Sequence, residues 1–170
     1  MKTRAPYIIA LLGMILGVFI SILFGFNENI FKDKIARDLN QNESIMKITD
    51  SQAQQTKIEE EKDKNWRYYQ RYHFHATGIS GISLATLILL GFSTAPALIT
   101  MLSSFMVSIG GFLYPFVWLF SAMYGPIMGR SQAKETFAIF GYMGGVFLVG
   151  LVLAMFLFIK YPFNKHFELK

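Results

Sequence analysis

The 170-residue chain holds three histidines and no cysteine, and two of those histidines stand almost side by side in Arg71-Tyr72-His73-Phe74-His75. An imidazole so placed can ligate haem iron or a metal ion, or carry a proton. Thr77 follows one helical turn after His73, within reach of its ring proton or of a bound group. Gly78 and Gly81 come next, and glycines beside a histidine let a flat macrocycle or a second backbone approach closely. Helical positions i and i+2 lie about 200° apart, so His73 and His75 cannot share one centre if both are helical. His166 falls beyond the last apolar segment, at the opposite end. A bis-histidine b-type haem within one chain is therefore disfavoured. A five-coordinate haem, a His/Met site or a ligand shared between subunits stays open, with Met123, Tyr124, Met128, Tyr142 and Met143 expected at the same end as His73.

The cofactor-site residues are thus His73, His75, Thr77 and Gly78, and the metal candidates are the two histidines. The group itself is unknown, with haem b or a single metal ion as the options. A pocket for a quinone or lipid headgroup is a further reading, and a purely structural pair of imidazoles is another. Trp66, Tyr69, Arg71 and Tyr72 lead into the cluster. Such rings favour the membrane headgroup zone, and an arginine there reaches up to phosphates.

Other chemistries find little support. Without cysteine there are no disulfides, thiolate ligands or iron–sulfur clusters. No His-Glu-x-x-His or Gly-x-Ser-x-Gly occurs, and no buried acid is available to a Ser–His pair, which argues against an autonomous enzyme. The formal charge of +5 comes from residues flanking apolar segments, where lipid and topology explain it better than nucleic acid does.

The elements that must hold the cluster are long apolar helices. Residues 76–129 run for 54 positions without Asp, Glu, Lys or Arg, and 6–26 and 136–159 are equally free of charge. A bilayer core of about 30 Å takes ~20 apolar residues per crossing, so 76–129 reads as two spans joined at Pro96. The expected architecture is an all-α, polytopic membrane protein forming a single domain. Its four transmembrane helices cover 6–26, 73–94, 98–123 and 135–160, with Gly125-Pro126 and 129–132 separating the last two. The basic start Met1-Lys2-Thr3-Arg4 suggests a signal peptide, but the apolar run is long and lacks a small-x-small cleavage site, so it reads as a retained span. Pro115 should kink the third span.

Between the first two spans, 27–72 is a 46-residue hydrophilic segment with nine basic and nine acidic residues and no Gly or Pro. Phe31, Ile35 and Leu39 form a thin apolar stripe at i, i+4, i+8, Asn40-Gln41-Asn42 breaks that helix, and Asp50 caps the next. A helical hairpin projecting from the membrane is expected, either as a docking surface or as a solvated connector. It shares one side with Arg130 and Lys134, giving that side eleven basic residues against five on the other. That asymmetry places the hairpin in the cytoplasm of a cell inner membrane and both termini opposite. Gly13/Gly17, Ser104/Ser108, Gly110-Gly111, Gly141/Gly145 and Gly150 mark where helices pack, within the chain or against a second copy.

A charged juxtamembrane stretch leading into His73-Phe74-His75, then Gly78 and Gly81, in a four-span layout, resembles small bacterial membrane proteins related to subunit I of haem–copper oxidases and nitric oxide reductases. The resemblance covers about 20 residues and a helix count. It implies His73 or His75 as a haem or metal ligand. Two departures stand out: Ala76-Thr77-Gly78 where that group has an aliphatic residue and a later glycine, and the long hydrophilic hairpin. Small size, packing glycines and no catalytic apparatus point to an accessory or scaffold subunit of a membrane complex, with lipids and other membrane subunits or a homo-oligomer as partners. A haem- or metal-binding respiratory-type protein is the alternative. A small-molecule transporter is the second, weakened because no span carries a carboxylate, lysine or arginine in its interior.

Overall fold

The structure, a computed structural model, describes residues 4–164, so Lys2, Lys165, His166 and Lys170 lie outside the described residues. It is all-helical, and four of its helical segments are long and apolar enough to cross a membrane. Helix α1 (Ala5–Asn27) starts with Pro6 in its first turn, where a missing N–H costs nothing. Only Glu28 separates it from α2 (Asn29–Leu39). Asn42 caps the short α3 (Glu43–Met46) through its side chain. Asp50 likewise accepts from Gln52 N and starts α4 (Ser51–Phe92), which continues unbroken from the polar segment into the apolar one. Pro96, which disfavours helix at the residue before it, closes the turn into α5 (Ala97–Leu113). Next come α6 (Phe116–Met128), α7 (Arg130–Thr136) and α8 (Ala138–Lys160).

Three boundaries differ from the sequence expectation. Tyr114-Pro115 splits the third apolar segment into α5 and α6, more than a kink. Gly125-Pro126 does not end that segment; helix continues to Met128 and stops at Gly129, whose φ of +93° favours glycine. The fourth apolar helix begins at Ala138, because Phe137 leaves helical geometry and sets α7 apart.

Helix α4 is central, packing on α1, α2, α5 and α6, while α5 pairs closely with α8. Small residues make these contacts. The buried stripe of α1 is Pro6, Ala10, Gly13, Gly17 and Ile20, and that of α8 is Gly150, Ala154 and Leu157. Ser103 Oγ donates to Gly150 O at 2.9 Å, and Ser83 Oγ to Val107 O at 3.3 Å, so buried hydroxyls bridge backbones. Large apolar side chains such as Ile8, Ile22, Leu98, Val152 and Ile159 face outward instead.

The two ends of the bundle are distinct. At one, Tyr7 Oη donates to Leu87 O, and Thr94 N and Oγ1 both donate to Pro162 O, so the start of α1, the α4–α5 turn and the end of α8 meet. At the other, α2 and α3 of the hydrophilic segment pack along α4 and the end of α6. Ile35 and Leu39 are 1% exposed, and they join Phe31, Trp66, Tyr69, Tyr72 and Ala122 in one apolar cluster. Asn42 Nδ2 donates to Pro126 O and Ile127 O, tying that segment to the end of α6.

Candidate functional site

Because α4 is continuous through the histidine pair, the two imidazoles point to opposite sides. His73 lies against Phe24 and Phe74, and its Nδ1 sits 2.8 Å from Gly17 O of α1. That approach needs the bare glycine: a Cβ on Gly17 would lie 2.8–2.9 Å from Thr77 Cγ2, Ala76 Cβ and Thr77 N. His75 lies between the rings of Tyr114 and Trp118, with Nδ1 2.8 Å from Arg71 O. A carbonyl only accepts, so at both histidines Nδ1 is the donor and Nε2 is the nitrogen left for another partner. The other two expected site residues take different parts. Thr77 Oγ1 donates to His73 O, the backbone rather than the ring. Gly78 is exposed, with nothing among the described residues within 4 Å of the place a Cβ would take, so it brings no second described backbone to the histidines.

The aromatic residues also depart from expectation. Tyr69 and Tyr72 are 3% and 4% exposed and belong to the core, Tyr69 against Phe31 of α2 and Tyr72 against Phe116 of α6. Trp66 is half-buried against Phe24 and Phe31. Of the four, only Arg71 is exposed. Its guanidinium lies over Trp118 at 4.9 Å and over Tyr68 at 5.5 Å from the ring centroids. Among the described residues, no three His, Asp or Glu side chains gather closely enough to hold a metal ion.

Arg71 belongs to a group that sequence reasoning did not assemble. Lys64, Arg67, Tyr68 and Arg71 fall at i, i+3, i+4, i+7 on one face of α4, opposite Arg130 and Lys134 of α7, and together they line a cleft of about 370 Å³. Arg130 grips Glu61 with two nitrogens, at 2.6 and 3.2 Å, which docks α7 on α4. Burial pushes the Glu61 carboxyl up, but the Arg130 hydrogen bond and charge, helped by Lys57, outweigh it, and the net pKa falls below the ordinary 4.5. A depressed carboxylate stabilises the fold at pH values above its unfolded pKa and loses that contribution as pH falls through the folded one. Glu61→Gln is therefore expected to be less stable than the native chain at pH 7, with the gap closing as acid is added below about 4.5. Denaturant titrations at pH 7 and at the acid end check this; a gap independent of pH would refute the ion pair. A larger cavity, about 610 Å³, lies at the other end among Tyr7, Leu87, Leu98 and Met101. Some four turns of α4 separate it from His73, roughly 20 Å.

Local spacing on α4 was a readable sign of a basic face, but the partners on α7 are more than 55 positions away. Nothing in the sequence pairs them, and it is the fold that brings them together. Comparison with known proteins returns no family model, no curated protein and no solved structure that matches the chain.

Proposed function

We propose that the chain is a multi-pass protein of the cell inner membrane, acting without chemistry of its own as an accessory or scaffold subunit. It crosses the bilayer four times, with 27–72 and α7 in the cytoplasm and both ends opposite. The supporting observation is the outward placement of two glycines. Gly13, Gly17, Gly110, Gly111 and Gly150 are all used inside the bundle, where a Cβ would meet atoms at 2.5–2.9 Å. Gly78 and Gly145 are exposed with open space around them, among large outward side chains: Phe74 and Ile82 on α4, Tyr142, Leu148 and Val149 on α8. A helix-interior glycine costs about 0.5–1 kcal/mol relative to alanine, and acyl chains gain nothing from the notch it leaves. A helix of another subunit does, because backbones can then close on one another. The partner is a membrane protein, a second copy of the chain included.

Gly78→Leu and Gly145→Leu leave the interior untouched. They are expected to keep normal membrane levels while cross-linked assemblies fall about tenfold. A native chain that is solitary in cross-linking and single-molecule counting sinks the reading.

A second reading keeps haem b or one metal ion at His73 or His75. It draws on the fixed Nδ1 protons, since a ligating imidazole commonly donates its other N–H to a carbonyl and presents Nε2. A bis-histidine haem does not fit, with the imidazoles on opposite faces and each flanked by two aromatic rings. The same purified material discriminates. Haem or metal lost in His73→Ala or His75→Ala supports ligation, whereas colourless, metal-free protein with partners attached supports the scaffold.

A further inference from the structure

We propose that the cleft between α4 and α7 binds a phosphate group, presented by an anionic lipid headgroup or by a small soluble molecule. Five of its six lining side chains are cationic, and none is acidic. Arg130 is neutralised by Glu61, and Lys64 by Glu60 and Glu61. Arg67, Arg71 and Lys134 have no carboxylate partner among the described residues. All three line the cleft, and two of them are drawn together. Lys134 lies 5.1 Å from the Tyr68 centroid and 5.5 Å from that of Trp118, the same two rings that Arg71 covers.

Two cations from different helices on one pair of rings repel each other, and ring quadrupoles only partly offset this. An anion between them removes the repulsion. The rings hold the cations at their faces, leaving N–H groups free for oxygen acceptors. Two guanidinium forks and an ammonium suit the several oxygens and the charge of a phosphate better than a single carboxylate. The Tyr68 hydroxyl adds a further polar group, already 3.5 Å from Arg130 Nη1.

Position favours the lipid source. Arg71 stands five residues before the charge-free run that starts at Ala76, so the cleft opens where an inserted chain meets headgroups. Basic pockets on the cytoplasmic side of membrane helices are the usual seats of anionic headgroups. The lipid source rests on the proposed insertion; the phosphate chemistry does not.

The test uses the full chain in nanodiscs of phosphatidylcholine doped with dansyl-phosphatidylglycerol, read by energy transfer from tryptophan. A parallel titration of detergent-solubilised chain uses inorganic pyrophosphate. Native protein should prefer phosphatidylglycerol over labelled phosphatidylcholine. Arg67→Gln should weaken binding about fivefold, and Arg71→Gln with Lys134→Gln roughly 25-fold. Arg67 is exposed and makes no ion pair among the described residues, so its variant carries the test if the double variant fails to fold. Lys47→Gln, which removes an exposed charge elsewhere at the same end, should change nothing. Displacement of the lipid by millimolar pyrophosphate supports a soluble ligand, and resistance to it supports a headgroup. Pyrophosphate binding that depends on Arg67 supports the cleft even if the chain does not insert. No lipid preference together with no pyrophosphate binding overturns the proposal, as does a Lys47→Gln loss equal to that of Arg67→Gln.

Discussion

Asn42→Ala is expected to cost the fold about 3 kcal/mol, an unusually large loss for a polar side chain in a connector. Asn42 is 6% exposed and all its hydrogen-bonding capacity is used. Its Oδ1 accepts from Ser44 N at 3.0 Å and Ile45 N at 3.3 Å, capping α3. Its Nδ2 donates to Pro126 O at 2.9 Å and Ile127 O at 2.8 Å, two carbonyls near the end of α6 that run out of helical donors. Losing a cap costs about 1 kcal/mol and each net hydrogen bond about 1 more, with the Pro126 and Ile127 carbonyls left unpaired. Asn42→Asp separates the two halves of the role. It keeps both acceptors but sets a carboxylate against two carbonyl oxygens, so it should be at least as damaging as alanine. Denaturant or SDS titration in a fixed detergent measures both. If aspartate is well tolerated, the cap alone matters and the tie to α6 is idle.

Gly110→Ala is the second large effect, expected near 2–3 kcal/mol despite adding one methyl group. A Cβ at Gly110 would lie 2.5 Å from Phe147 N and 2.9 Å from Met143 O and Phe147 Cα. These are backbone atoms, which cannot swing aside as a side-chain tip can, so α5 and α8 must part. Their separation would also stretch the Ser103–Gly150 bond nearby. Gly110→Leu should leave no folded protein. Gly78→Ala is the control: it meets nothing within 4 Å and should gain about 0.5–1 kcal/mol from helix propensity. A Gly110→Ala chain as resistant to denaturant as the native one would rule out the close α5–α8 contact.

What could be read from sequence was local. Charge-free runs marked the four apolar helices, Asp50 marked the start of α4, and the Phe31-Ile35-Leu39 spacing marked the buried stripe of α2. Helical periodicity alone separated His73 from His75, because both ride on one unbroken helix. What was missed depended on contacts between distant segments. Tyr69 and Tyr72 look like a headgroup belt until α2 and α6 are laid over them. Thr77 and Gly78 follow the histidines closely, yet one hydroxyl turns to its own helix and one glycine faces away from the chain. Gly125-Pro126 resembles a helix terminus, but the proline removes a single donor, and the glycine makes room for Asn65, whose Oδ1 would lie 2.7 Å from an added Cβ.

The 42 residues of α4 make a rod about 63 Å long, twice the thickness of a bilayer core. Only its second half is apolar, so the first half acts as a pointer fixed to the part that would sit in lipid. Swinging such a rod by 10° about its Phe92 end carries Ser51 sideways by ~11 Å. Thinner or thicker lipid alters helix inclination, and the docked α2, α3 and α7 would sweep through that arc with it.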